Sequence, residues 1–300
     1  MKAYRTMSEY LNSVLGCPAR KIAVNAGLSC PNCDGTIGRG GCVYCNNASF
    51  NPEYAFRSDG SISSQLEKGV GFLGKRYHNQ ALLAYFQSYT NTYGDIAHLI
   101  GLYEEALRFD GVRGLVIATR PDCLPDELLG YFSRRFGLEA PEGHPYLLVE
   151  IGVESTCDKT LERINRGHNF RCAADAIRRL DSIGVAAGAH LILGLPGEDE
   201  SDVIRHAGRI SELPVTTLKL HHLQVLRGTR LAELYRLDSA SFRLHTPESY
   251  ADAVARFLSE LRPGIVLDRF VSESPLSMVI APKWGIKPSD FQKILDGILV

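Results

Sequence analysis

From residue 21 onward the chain alternates short apolar runs with longer stretches whose apolar positions recur every three or four residues. That is the pattern of βαβ units around a parallel sheet. Six runs read as strands: KIAVNA (21–26), ALLAYFQ (81–87), GLVIATR (114–120), YLLVEIGV (146–153), VAAGAHLILG (185–194) and TTLKLHHLQV (216–225). Several are apolar almost throughout, as strands covered on both faces are. Between them, residues 61–78, 95–109, 124–136, 170–184 and 199–213 predict helices with one apolar face each. Asp95, Asp126 and Asp199 stand near first turns, where a carboxylate meets free amides and the positive end of the helix dipole. Gly137 and Gly184 stand just past helix ends, where a left-handed cap is common.

No linker, low-complexity segment or repeat interrupts this alternation. It divides into an N-terminal segment (1–20), a core domain (21–240) and an extension (241–300) with a helix over 247–264, a strand over 264–271 and a closing helix over 287–300. In parallel α/β proteins chemistry gathers at the carboxyl ends of the strands, where loops and helix N-termini converge.

Composition narrows the classes. At 300 residues and 45% hydrophobic content the chain can bury a proper core, so disorder is not expected. Lys plus Arg total 33 against 34 acids, which excludes a wholly basic, non-specific nucleic-acid binder and leaves a local basic face open. The N-terminal MKAYRTMSEYLNSVLG has no apolar core of signal-peptide length, and no stretch approaches the roughly 18 apolar residues of a membrane span. The expected location is the cytoplasm, with no membrane partner. Disulfides are not expected there among the eight cysteines, and half of these fall between positions 30 and 45. Cys17, Cys123, Cys157 and Cys172 are scattered and read as small hydrophobes.

The clustered cysteines lie in CPNCDGTIGRGGCVYC, residues 30–45, directly after the first strand. A loop this rich in glycine can fold around a compact object, and grouped thiolates favour a soft metal. Two readings compete. As Cys30-x-x-Cys33 and Cys42-x-x-Cys45 the four thiols form a closed tetrahedral zinc site, which spacing alone favours. With three ligands, Cys30, Cys42 and Cys45, they hold an iron–sulfur cluster with one iron open to a small molecule and Cys33 as a bystander. The setting favours the second, because structural zinc knuckles stabilise small domains poor in core, and this loop sits at the functional end of a well-cored sheet.

A cysteine loop at the first strand's carboxyl end, with aromatic Tyr44 just before the last cysteine, resembles the radical S-adenosylmethionine superfamily. The long first gap, together with AGLSCPNCDGTIGRGGCVYCNNASF, YFQSYTNTY, ATRPDCLPDELL, LERINRGHN and HLILGLPGE, resembles its YhcC/YtqA-like subgroup, related to the catalytic subunit of Elongator. The match runs from Tyr4 to the terminal helix. In that subgroup the position of Cys33 is often Arg, which supports leaving it out of the ligand set.

The resemblance implies an α/β fold of the partial (β/α)6 TIM-like barrel type with a C-terminal helical extension. It implies a 4Fe-4S cluster and S-adenosylmethionine, whose amino and carboxylate groups bind the open iron and which one electron splits to methionine and a 5′-deoxyadenosyl radical. Such a cluster works at low potential, so an external donor such as flavodoxin or ferredoxin is implied. Gln87, at the end of the second strand where relatives approach the methionine amine, is the best candidate there. Glu154, just past the fourth strand, matches a polar position that reaches the ribose in the coproporphyrinogen oxidase branch. Arg166 matches an arginine used against the methionine carboxylate, an anion a planar guanidinium suits. His190 stands where relatives often carry a ribose-facing Asp, and Leu195 lies within Gly194–Glu198, a turn that allows backbone to approach adenine. Of Lys219, His221, His222 and Gln224 on the sixth strand, alternate members must face the lumen. Arg134-Arg135 and Arg178-Arg179 read as solvated helix faces.

Kinship with Elongator implies tRNA wobble-uridine side-chain chemistry, although no acetyltransferase domain is appended. The rivals are a radical enzyme acting on a small metabolite and a non-catalytic zinc-knuckle protein.

Overall fold

The computed structural model describes residues 4–49, 60–74 and 80–299. Phe50 of the quoted cysteine motif and residues 75–78 of the first predicted helix lie outside them. All six predicted strands form: β2 (Ala19–Val24), β3 (Ala81–Phe86), β4 (Val112–Thr119), β5 (Tyr146–Glu154), β6 (Ala186–Leu193) and β7 (Thr217–His222). The strand expected over 264–271 forms as β9 (Val266–Arg269), an unexpected β1 (Arg5–Thr6) joins it, and the eight pair in parallel in the order β1-β9-β7-β6-β5-β4-β3-β2. The sheet curls into a half-barrel. The predicted run 216–225 ends as strand at His222 and resumes as β8 (Val225–Leu226), which pairs antiparallel with β10 (Val279–Ala281).

Helices Ile62–Leu73, Ile96–Arg108, Asp126–Phe136, Phe170–Ser182 and Glu200–Ser211 cover the convex face, each near its expected place. Asp95 and Asp199 cap two of them, their side chains accepting from the amides of His98 and Ser201. Strand alternation sorts the core. Ala84, Phe86, Leu115, Ile117, Leu147, Val149 and Ile151 point outward into the large core under the helices. Leu83, Tyr85, Val116, Leu148 and Val266 point inward and meet Met7 and Leu11 of the helix Met7–Leu15. That helix starts at a Thr6–Glu9 capping box and ends at Gly16, and it plugs the amino end of the lumen. The opposite, carboxyl end stays open.

No helix among the described residues is long and apolar enough to cross a membrane. The extension contributes helix Pro247–Glu260, then β9, then helix Pro288–Ile298, so residues after 240 continue the same sheet.

Candidate active site

The open end is a cleft lined by Cys30, Cys33, Cys42 and Cys45, with Tyr44, Gln87, Glu154 and Arg166 beside them and His190, Lys219 and Gln224 deeper in. The cysteine loop is built by a single helical turn at Pro31–Asp34 and by glycines that admit close approach. A Cβ on Gly41, which has φ +72°, would come 3.0 Å from Cys33 Sγ. The loop is clamped from outside by the Arg166 loop. Val43 N donates to Ile164 O at 3.0 Å, Asn165 Nδ2 to Gly41 O at 2.7 Å, and Asn32 Nδ2 to Asn165 O at 2.6 Å.

Arg166 is nearly buried and is the centre of the site. Its Nη2 donates to Gly152 O at 2.7 Å and lies 3.4 Å from Glu154 Oε1, while Nη1 donates to Cys42 Sγ at 3.4 Å. Burial opposes its charge, but Tyr44, Cys42 and Glu154 outweigh that and hold it firmly protonated. Gly152 makes room for it, since a Cβ there would lie 2.3 Å from Arg166 Nη2. An irregular register between Gly152 and Glu154, with Glu154 at φ +65°, turns the carboxylate toward the guanidinium. Arg166 Nε is buried and has no hydrogen-bond partner among the described residues.

The donor set fits an anionic sulfur cluster. Amide or guanidinium N–H groups of Asn32 (3.6 Å) and Arg166 (3.4 Å) point at Cys42 Sγ, and Asn47 (3.5 Å) points at Cys45 Sγ. Such donors stabilise thiolate ligands and tune the metal they hold. Without metal, burial and then the neighbouring thiols push Cys45 well up, and the same causes push Cys33 up to about 11. Among the described residues no three Cys, His, Asp or Glu are gathered as ligands of a single ion. In a 4Fe-4S cluster each cysteine meets a different iron, so the thiols need only ring the space.

The remaining expectations place unevenly. Gln87 is half-buried on the cleft wall, behind a turn in which Thr90 N donates to Ser29 O and Asn91 N to Ala118 O, both at 3.2 Å. His190 lines the cleft and bonds Glu150 through Nε2. Leu195 is 2% exposed, belongs to the outer core and is not among the cleft-lining residues. His222 stacks on Trp284 with ring centroids 3.8 Å apart. Arg135 pairs with Glu104, Arg178 with Asp175 and Arg179 with Asp126, away from the cleft. Sequence reasoning missed Lys21, Tyr85, Arg120, Asp268 and Arg269. Arg120 is 2% exposed, holds Asp122 through two nitrogens and donates to Arg166 O at 2.9 Å. The Arg-Pro-Asp triplet at 120–122 was its only sequence signal.

A parallel half-barrel with clustered cysteines and a buried, hydrogen-bonded arginine at the carboxyl ends of its strands has the layout of a barrel enzyme with its site at that end. Comparison with known proteins makes the class definite. The Radical SAM superfamily model matches residues 34–210 and the Radical_SAM C-terminal domain model residues 215–297, so the chain belongs to the radical SAM superfamily. It is similar to the uncharacterized protein YtqA of Bacillus subtilis, 32% identical over 285 residues, 95% of this chain and 86% of that protein. It is also similar to Elongator complex protein 3 of Schizosaccharomyces pombe, 28% identical over 173 residues, which cover 55% of this chain and 29% of the relative. Among solved structures, the archaeal Methanocaldococcus infernus Elp3 with an N-terminal deletion superposes with a TM-score of 0.66 at 17% identity. That match covers 93% of this chain and 63% of the solved one, and it shows a shared fold. Membership makes the protein a radical SAM enzyme and implies a 4Fe-4S cluster and S-adenosylmethionine.

Proposed function

We propose that Cys30, Cys42 and Cys45 hold the cluster and that Cys33 does not. The observation that carries the reading is the convergence of N–H donors on sulfur, with two on Cys42 and one on Cys45. When bound, the pair of cofactors supplies a 5′-deoxyadenosyl radical by one-electron cleavage of S-adenosylmethionine. The chain's own residues position it. Arg166, whose buried Nε has no partner among the described residues, meets the methionine carboxylate. Gln87 meets the amine, Glu154 the ribose, and the half-buried ring of Tyr44 packs beside the cluster. An electron donor such as flavodoxin or ferredoxin reduces it.

The substrate proposed is tRNA, at the wobble-uridine side chain, supported by the Elongator resemblance. The test has two arms. Protein purified without oxygen should carry iron and sulfide and release 5′-deoxyadenosine on reduction with S-adenosylmethionine; zinc alone, with no 5′-deoxyadenosine, refutes the cofactor reading. Nucleosides of tRNA from deletion and parent cells should differ at the wobble uridine, and identical profiles refute the tRNA reading in favour of a small metabolite.

A further inference from the structure

The lumen carries a layer of ionisable side chains distinct from the cofactor contacts proposed above for Arg166, Gln87, Glu154 and Tyr44. Glu150 of β5 is 1% exposed and meets Lys219 Nζ at 2.7 Å, His190 Nε2 at 3.0 Å and Lys21 Nζ at 3.2 Å. Asp268 holds Lys21 at 2.6 Å and lies 3.4 Å from Lys219, which also donates to Tyr85 Oη at 2.9 Å. Six strands contribute one group each: Lys21 from β2, Tyr85 from β3, Glu150 from β5, His190 from β6, Lys219 from β7 and Asp268 from β9. Replacing buried ion pairs with apolar side chains of similar volume is often neutral or stabilising, so stability alone does not account for such a layer. Four of its six members, Tyr85, Glu150, His190 and Lys219, line the cleft, and ionisable groups gathered in a cleft mark a candidate functional site.

The layer fixes the state of one residue. Burial drives the Glu150 carboxyl upward, but Lys21 and Lys219 outweigh it and hold it well below the usual carboxylate range. A carboxylate only accepts, so the hydrogen of the His190–Glu150 bond sits on His190 Nε2. Whenever the ring is neutral, Nδ1 is then a lone pair. Among the described residues no protein group bonds His190 Nδ1, and the ring lines the cleft. The other groups nearby are already engaged: Arg269 pairs with Glu273 at 3.1 Å, and His221 Nδ1 faces Ser272 Oγ at 3.5 Å. Both lysines are shared between the two carboxylates.

We propose that His190 Nδ1 accepts a proton from the substrate, with Glu150 as the residue that fixes its tautomer, and that the substrate presents an amine or hydroxyl beside its reacting carbon. The N–H or O–H bond of the substrate breaks, its electron pair stays on the substrate, and the new imidazolium keeps its Nε2–H on Glu150. Nothing is oxidised or reduced in this step. The inference rests on the radical-enzyme reading of the cleft, and it assigns His190 to the substrate and not to the ribose.

Two measurements test it. In ¹⁵N-histidine spectra of the oxidised, cluster-loaded protein, the His190 signal, assigned by its absence in His190→Asn, should report hydrogen on Nε2 and an unprotonated Nδ1. Hydrogen on Nδ1 overturns the proposal. In the second, tRNA from a strain lacking this chain is the substrate, and modification per 5′-deoxyadenosine released is compared for wild type and His190→Gln. Loss of a general base predicts that this ratio falls by about 10²-fold or more, and Glu150→Gln, which blurs the tautomer, should lower it too. An unchanged ratio, even with both rates reduced, marks His190 as a cofactor contact and overturns the proposal. Failure of the wild type to release any 5′-deoxyadenosine sinks the radical reading instead, and the spectra still decide the tautomer.

Discussion

Gly152→Ala probes what Arg166 contributes, because the severest clash it creates is with that side chain, ahead of Glu154 Oε1 at 2.7 Å. The new Cβ would stand 2.3 Å from Arg166 Nη2, and ordinary contact begins at 3.4 Å. The guanidinium must therefore retreat by about 1.1 Å, the difference between those two distances. Moved straight back, that stretches its 2.7 Å bond to Gly152 O past hydrogen-bonding range. A buried carbonyl left without its donor costs roughly 1–3 kcal/mol. The backbone at Gly152 is ordinary strand, so alanine returns about 0.4–1 kcal/mol by restricting the unfolded chain. The net expectation is a loss of about 1–2 kcal/mol in urea unfolding at pH 7. In an Arg166→Met background only Glu154 Oε1, 2.7 Å from the Cβ, is left to give way, and it has lost the cation that held it. Adding Gly152→Ala there should cost little, giving a coupling of about 1 kcal/mol in the double-mutant cycle. Additivity within about 0.3 kcal/mol would refute the claim that Arg166 is the group the glycine accommodates.

Cys30→Ser, Cys42→Ser and Cys45→Ser should each abolish iron-dependent release of 5′-deoxyadenosine, while Cys33→Ser should keep a cluster that cleaves S-adenosylmethionine; loss of iron from Cys33→Ser alone reopens the four-ligand reading. Glu150 stays ionised in the fold below its ordinary value of 4.5, so its stabilisation is complete above that pH and lost as pH falls below it. Urea midpoints should show Glu150→Gln less stable at neutral pH but with a shallower acid slope. His222 is held down to about 3 by burial and then by His245, so between pH 6.5 and 3 the unfolded chain takes up a proton that the fold refuses. Stability should then fall by up to about 1.4 kcal/mol per pH unit toward acid from this group alone, and His222→Phe, which keeps a ring on Trp284, should flatten that slope. Leu11→Ala in the lumen plug should cost about 2–5 kcal/mol by calorimetry, as for other buried leucines.

The sequence by itself determined the parallel α/β alternation, the strands that carry the site, the cysteine loop at a carboxyl strand end, and Arg166 as a cleft residue. These are local properties: apolar runs, three- and four-residue spacing, and clustered thiols within one loop. It did not reveal the plug Met7–Leu15 or the strand β1, whose two residues are too short to show a period and which forms only because a parallel neighbour exists to pair with. Leu195 illustrates a local motif whose side chain the fold turned into the outer core. The layer of Lys21, Glu150, Lys219 and Asp268 was decided by tertiary structure alone. Nothing local sets these charges apart from their neighbours along each strand, and only the curl of the sheet brings four strands together closely enough for each charge to make the burial of the others tolerable.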